Sequence, residues 1–258
     1  MRKKYIFADF DGTIKDHGSN SIPASTREAI KLLQENGHEV ILNTGRCPSL
    51  FFGVEKELNI DSYVASNGRY VMHKGELLYN KFIDKQVVKD MVDLAFENKI
   101  DVAFSSSDNF VLNSRFSNMP DSFTDTFNME RAKVHHNYHL ENDIYQINMF
   151  YNKSDYKKYE MQFPTLNFNF SNIYGFDVNE KGGLKELGIK IFQEKLGISI
   201  EDTIAIGDGN NDISMIEYAN IGISMGNGVK PLKEAADIVT DDVGEDGFYN
   251  VFKRLNLI

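Results

Sequence analysis

The chain is predicted to be α/β: an open, Rossmann-like parallel sheet whose core is interrupted by an inserted α+β domain. Short apolar runs alternate with helix-spaced apolar residues at both ends of the 258 residues. Each of those runs stops at a polar loop, and the rhythm breaks between them over a middle third rich in aromatic residues and asparagine. Alternating strands and helices make a parallel sheet, and a long stretch of different rhythm inside one is an insertion.

Lys4 to Ala8 is the opening strand and runs straight into Asp9, Phe10, Asp11, Gly12 and Thr13. An apolar strand that stops at two carboxylates sets acids at the C-terminal lip of a sheet, where open α/β folds bind ligands. After the turn-rich stretch Lys15 to Pro23, Ser25 with Glu28 three residues on reads as a capping box. The helix it opens carries Ala29, Leu32 and Leu33 on one face and stops at Gly37. Val40 to Leu42 is the second strand, ending at Asn43, Thr44, Gly45 and Arg46. Pro48 can open a helix running to about Leu58. Tyr63 to Ala65 is a third strand closing on Ser66, Asn67 and Gly68, and Tyr70 to Met72 with Leu77 to Tyr79 form a hairpin about Lys74 and Gly75.

The insertion is expected over residues 81–179, leaving 1–80 and 180–258 as the core. It holds a helix from Val87 to Asn98 and strands at Val102 to Phe104, Phe110 to Leu112, Ile144 to Phe150, Leu166 to Phe170 and Ile173 to Val178. After Lys181, Gly182 and Gly183 the α/β rhythm returns, with Leu184, Leu187, Ile191 and Phe192 on one helix face. Thr203 to Ile206 is a buried strand ending at Gly207, Asp208, Gly209, Asn210, Asn211 and Asp212. Ile221 to Ser224 and Ile238 with Val239 are the last strands, and Phe248 to Leu255 is a closing helix.

Asp plus Glu outnumber Lys plus Arg by 38 to 28, a formal charge of −10. Nucleic acid and anionic membranes need a basic face, so neither is expected as a partner, whereas a small ligand or a cation is. The apolar run behind Met1 to Lys4 meets acids too soon for a signal peptide, and no stretch is long enough to span a membrane. The single cysteine, Cys47, allows no disulfide within the chain and fits a reducing, cytoplasmic setting. It has no histidine near it in sequence and reads as a loop residue beside a site.

Three strand ends therefore present Asp9 with Asp11, Thr44 with Arg46, and Asp208 with Asn211 and Asp212. A parallel sheet brings such ends onto one rim, where four carboxylates repel one another unless a cation intervenes. An all-oxygen donor set favours Mg2+ over Zn2+. Neither acidic loop fits the calcium pattern: the glycine and glutamate positions counted from Asp9 hold Ile14 and Asn20, and from Asp208 they hold Ile213 and Ala219. Gly226, Asn227 and Gly228 miss the dinucleotide fingerprint because Pro231 stands at the third glycine. His135 and His139 would share a face of a helix, but no third zinc ligand lies nearby.

Asp9 to Thr13, then Thr44 to Arg46, then Lys181, then Gly207 to Asp212 resemble the four motifs of the haloacid dehalogenase-like superfamily. The long insertion and the stretch Gly222 to Gly228 before Ala236 and Asp237 resemble its Cof-type branch of sugar-phosphate phosphatases. The resemblance implies that Asp9 is a covalent nucleophile and Asp11 the general acid and base. It further implies Mg2+ held by Asp9, the backbone carbonyl of Asp11 and Asp208, with Asp212 supporting the metal or orienting Lys181 from behind. Thr44, Gly45, Lys181 and Asn211 would contact the phosphate. Lys185 and Lys190, on the body of the following helix, are the other lysines available. The insertion would be a cap that selects the substrate. A sugar phosphomutase would use the same aspartyl-phosphate, and a protein that binds phosphorylated metabolites without turnover would keep the same crevice. Asp11 separates a phosphatase or mutase from P-type pumps, which resemble this motif but carry threonine there.

Overall fold

The computed structural model describes residues 2–126, 129–151, 156–181 and 184–258. Gly182 and Gly183, expected at the return to the core, lie outside them. In chain order the first elements are β1 (Tyr5–Ala8), α1 (Ala24–Glu35), β2 (Glu39–Asn43), a 3-10 turn at Pro48–Leu50, α2 (Val54–Glu57), β3 (Ser62–Ala65), β4 (Tyr70–His73) and β5 (Glu76–Asn80). Next come α3 (Lys85–Glu97), β6 (Asp101–Ser105), β7 (Phe110–Leu112), α4 (Met119–Thr126), β8 (Lys133–Val134), α5 (Tyr138–Glu141), β9 (Gln146–Phe150), α6 (Tyr156–Gln162), β10 (Leu166–Asn172) and β11 (Gly175–Glu180). The chain closes with α7 (Glu186–Leu196), β12 (Thr203–Gly207), α8 (Ile213–Tyr218), β13 (Ile221–Ser224), α9 (Lys230–Ala235), β14 (Ile238–Val239) and α10 (Gly247–Arg254).

These elements gather into two compact units. The first contains the chain up to Gly45, Gly53–Asn80 and Leu184–Ile258; the second contains Arg46–Phe52 and the described residues between Lys81 and Lys181. In the first, one sheet runs β14-β13-β12-β1-β2-β3-β4-β5, parallel from β14 to β3 and antiparallel in the β3-β4-β5 meander. Strand order reverses at β1, which pairs with β2 on one side and β12 on the other. That reversal is the switch point at which crevices open in doubly wound sheets.

The strands at the centre are buried on both faces, so their residues are apolar at almost every position. Phe7, Ile41 and Val64 meet Ile189 and Phe192 of α7 and Met215 and Ile216 of α8 on one side. The alternate residues Ile6, Ala8, Val40 and Leu42 face the other side, and α1 packs on α10.

The second unit is a six-stranded sheet, β10-β11-β9-β6-β7-β8, antiparallel except for the β7-β8 pair. Its helix α3 opens on Asp84, whose carboxylate accepts from the N–H groups of Gln86 and Val87, and it buries Val88, Met91, Val92 and Ala95.

Some sequence expectations shift. The capping box does not form: α1 starts at Ala24, Pro23 stands at the cap, and Ser25 lies within the first turn. Proline sets the chain direction there and the helix begins directly behind it. The helix expected from Pro48 to Leu58 is split, because Phe52 and Gly53 both take left-handed backbone angles, with φ of 54° and 80°. In the insertion α4 and α6 are helices that the run of short apolar pieces did not announce. His139 is buried in α5 against the Phe104 ring, and His135 lies outside that helix with its ring on Tyr138.

Candidate active site

The rim is assembled from neighbouring strands. Asp9 follows β1 directly and its N–H donates to Ile206 O at 2.9 Å, which sets it beside the end of β12 and so beside Asp208. Thr44 follows β2; it is buried, its N–H donates to Val64 O and its carbonyl accepts from Asn67 N–H at 3.2 Å. Gly45 comes next as the last residue before the chain passes to the second unit. Asp11 is partly exposed in the turn behind β1, and Asn211 is exposed on the 3-10 turn Asn210–Asp212.

The loop Asp9 to Thr13 is shaped by contact with Asp208. Gly12 has φ of +87°, and a Cβ there would stand 2.1 Å from Asp208 Oδ2, so no other residue lets the two loops approach so closely. Thr13, fully buried, donates its hydroxyl to Asp208 Oδ1 at 3.3 Å. Asn227 fastens the same turn from another loop: its Nδ2 donates to Gly12 O at 2.8 Å while its Oδ1 accepts from Val243 N–H at 2.9 Å. Asn227 is thus a clamp on the acidic loop, a role its failed dinucleotide spacing gave no hint of.

Lys185 is the cation of this site. Its Nζ is 2.5 Å from both Asp9 Oδ1 and Asp212 Oδ1, and the side chain is fully buried at the N-terminal end of α7. Lys181, the lysine expected to grip phosphate, is exposed at the end of β11 in the second unit, with its N–H donating to Thr165 O at 2.7 Å. The physical reason is that β11 runs on to Glu180 and keeps Lys181 with the inserted sheet, so the chain reaches the core only at Leu184. Asn43 then holds Lys185 from beneath, its Nδ2 donating to Lys185 O at 3.1 Å and touching Met215 Sδ at 3.3 Å. An asparagine closing an otherwise apolar strand was the available signal for this contact.

Asp212 uses both oxygens. While Oδ1 meets Lys185, Oδ2 accepts from Asp208 N–H at 3.0 Å and Gly209 N–H at 2.8 Å. It therefore orients the lysine and folds the loop that carries Asp208.

Burial and the neighbouring Asp212 push the Asp9 carboxyl well above its ordinary range, with Lys185 opposing. Burial and Asp212 likewise push Asp208 up to about 6. Burial would lower the Lys185 ammonium, but Asp212 and Asp9 outweigh it and hold it above its ordinary value. Negative charge is thus in excess around this lysine. Among the described residues Asp9, Asp208 and Asp212 gather carboxylate oxygens within 4.8 Å of one another, a donor set suited to a hard cation. Cys47 is buried, burial pushes its thiol up, and it hydrogen-bonds Ser105 and Ser49 in the second unit, which makes it a poor nucleophile.

Among the described residues no helix is long and apolar enough to cross a membrane. A family model described as haloacid dehalogenase-like hydrolase matches residues 6–252. A Bacillus subtilis (strain 168) protein named "Putative phosphatase YkrA" is 35% identical over 260 residues, covering 100% of each chain. A solved structure of a hypothetical protein from Geobacillus kaustophilus HTA426 has a TM-score of 0.94 at 33% identity, over 99% of this chain and 100% of that one. The HAD subclass IIB sugar phosphatase BT4131 has a TM-score of 0.87 at 29% identity, over 99% and 100%. The acidic rim around Lys185 is thus carried by a chain that belongs to the haloacid dehalogenase-like hydrolase family, as a phosphatase of its Cof-type branch.

Proposed function

We propose that the protein is a Mg2+-dependent phosphomonoesterase of small phosphorylated metabolites, foremost sugar phosphates, working through an aspartyl-phosphate on Asp9. One observation carries this reading: the buried Lys185 ammonium is hydrogen-bonded to the carboxylate of Asp9 at the switch point of the sheet. That contact orients Asp9, favours its ionised form and sets a positive charge where a phosphoryl group would gather negative charge.

An Asp9 oxygen forms the bond to phosphorus as the bond to the leaving alkoxide breaks, and Asp11 donates a proton to that leaving oxygen. Asp11 then accepts a proton from water, whose oxygen attacks phosphorus; inorganic phosphate departs and Asp9 is restored. Lys185, Thr44 and the backbone N–H at Gly45 would hold the phosphoryl oxygens, with Asn211 at the outer edge. Lys185 takes the part expected of Lys181.

The carboxylate cluster fits a hard divalent cation by donor type, by spacing and by its surplus of negative charge. Asp9, the carbonyl of Asp11 and Asp208 would hold Mg2+; Asp212, with both oxygens engaged, would support from behind. When bound, the ion would offset phosphoryl charge and fix the group in line with Asp9. The inserted unit, as cap, would choose the substrate, and the sugar phosphatase among the similar structures supports sugar phosphates as the first class to test.

The deciding experiment is hydrolysis of p-nitrophenyl phosphate with Mg2+ by the wild type and Asp9→Asn. Turnover should vanish in the variant, and substantial remaining turnover would overturn the nucleophile assignment. Incubating the wild type with a hexose phosphate separates hydrolysis from phosphoryl transfer within the sugar: free phosphate is expected, and accumulation of an isomer would replace the reading with a mutase.

A further inference from the structure

Behind β3 the chain makes a turn that opposes folding in two ways. Ser66, Asn67 and Gly68 take φ of 51°, 52° and 90° in succession. Glycine enters that region freely and asparagine with little penalty, whereas serine does so rarely. The turn also holds buried polar atoms without partners: Oγ of the fully buried Ser66, and Oδ1 of Asn67. Left-handed backbone and unpaired buried acceptors both destabilise a fold, and they collect where a ligand clamp is held in shape.

This turn lies against the loop that follows β2, within the same compact unit. Asn67 N–H donates to Thr44 O at 3.2 Å. The side-chain amide of Asn67 rests on Gly45, where a Cβ would stand 3.2 Å from Oδ1 and 3.3 Å from Nδ2. Glycine at position 45 thus leaves the space that the amide fills.

These contacts limit what the amide can reach. A Cβ lies about 2.5 Å from its own backbone nitrogen, so Asn67 Nδ2 is within about 5.8 Å of Gly45 N. Two N–H···O bonds end to end span about 5.8 Å, and one oxygen atom can therefore accept from both groups. Among the described residues Nδ2 has no acceptor, and unlike Oδ1 it is not shut away from solvent. An oxyanion is the acceptor such a pair suits, because hydrogen bonds to a charged oxygen are about twice as strong as neutral ones.

We propose that the Asn67 side-chain amide and the Gly45 N–H form a two-donor pincer on one oxygen of the phosphoryl group, which makes Asn67 a substrate-binding residue. The pincer rests on the phosphatase reading above and adds to it a contact from the turn behind β3.

The test measures the inhibition constant of inorganic phosphate against turnover of p-nitrophenyl phosphate with Mg2+, and the rise in melting temperature that phosphate produces. The proteins are the full-length wild type, Asn67→Gly and Asn67→Asp. Glycine keeps the left-handed backbone and deletes the amide; aspartate keeps both backbone and shape but replaces the donor with an anion. Asn67→Gly should raise the phosphate inhibition constant by about tenfold, as loss of one hydrogen bond to a charged group does. Asn67→Asp should raise it further, because its carboxylate repels phosphate. A role in shape alone gives the opposite order, with aspartate close to the wild type and glycine worse, and that order would overturn the proposal. An unchanged constant in Asn67→Gly would overturn it as well, whatever the stability of Asn67→Asp. A wild type that binds phosphate without hydrolysing p-nitrophenyl phosphate would overturn the phosphatase reading alone, since the phosphate-induced melting shifts of the three proteins still report the pincer.

Discussion

Lys185 and Asp212 form a fully buried ion pair, with Nζ 2.5 Å from Oδ1, and the other oxygen of the same carboxylate accepts from two backbone N–H groups of the loop that carries Asp208. One side chain thereby fixes the cation and the third acid of the site together. Asp212→Asn removes the charge and keeps the shape. It should lower kcat/KM on p-nitrophenyl phosphate by about 10- to 100-fold, as loss of an orienting contact behind a site does.

Lys185 faces two carboxylates, so Lys185→Met should lower kcat by about 100-fold or more, on the scale of losing a preorganised electrostatic partner. It should also cost about 3–5 kcal/mol of stability in urea, because Asp9 and Asp212 are left buried without their cation. Lys181→Met, at an exposed position, should retain at least about ten times the activity of Lys185→Met. Equal losses would return the phosphate-gripping role to Lys181.

Gly68 couples two sides of the rim. Ser66, Asn67 and Gly68 take left-handed φ angles of 51°, 52° and 90° in succession, and this tight loop places Asn67 N–H on Thr44 O. A Cβ on Gly68 would stand 2.6 Å from Leu184 O, one residue before Lys185. Gly68→Ala should therefore displace the start of α7, lower kcat/KM by about tenfold or more and destabilise the fold by about 2 kcal/mol, from positive-φ strain plus the clash. Parallel urea titration and steady-state kinetics check both.

At the opposite end of β2 stands Glu39. Burial would raise its carboxyl, but the ammonium of Lys3, the hydroxyl of Ser62 and His73 outweigh this and hold it below its ordinary 4.5. A carboxyl lowered in the folded state contributes stability that is complete above its unfolded value and is lost as pH falls through the folded one. His38, lowered by burial, acts in the same direction, since a histidine that stays neutral when folded loses stability as acid charges the unfolded chain. Urea midpoints should fall steeply below pH 4.5 in the wild type and less steeply in Glu39→Gln, which also starts from a lower midpoint at pH 7.

The Mg2+ binding proposed above should appear as stability. With free ion at about 100 times its dissociation constant, the folded state gains about 2.7 kcal/mol. Thermal melting with EDTA and then with excess Mg2+ should show an upward shift in the wild type that is much smaller in Asp208→Asn.

The order of strands, helices and polar loops in the core was legible in the sequence because strands buried on both faces must be continuously apolar and must stop where the chain meets water. The buried strand that starts at Thr203, the hairpin at Lys74 and Gly75, and the acids at Asp9 and Asp208 were all readable in this way. The start of α1 was not, since Pro23 and Ser25 offer competing helix-start signals two residues apart. Nor was the membership of Arg46–Phe52 in the second unit, which depends on Cys47 finding Ser105 far along the chain.

The sequence by itself determined the acids, their strand ends and the family chemistry they resemble, since local apolar pattern and motif spacing are written residue by residue. Only the tertiary structure decided which lysine meets Asp9, that Asn43 and Asn227 brace the site, and that the Asn67 amide rests on Gly45. Each of these depends on strand register and on the packing of elements distant in the chain, quantities that exist only once the chain has folded.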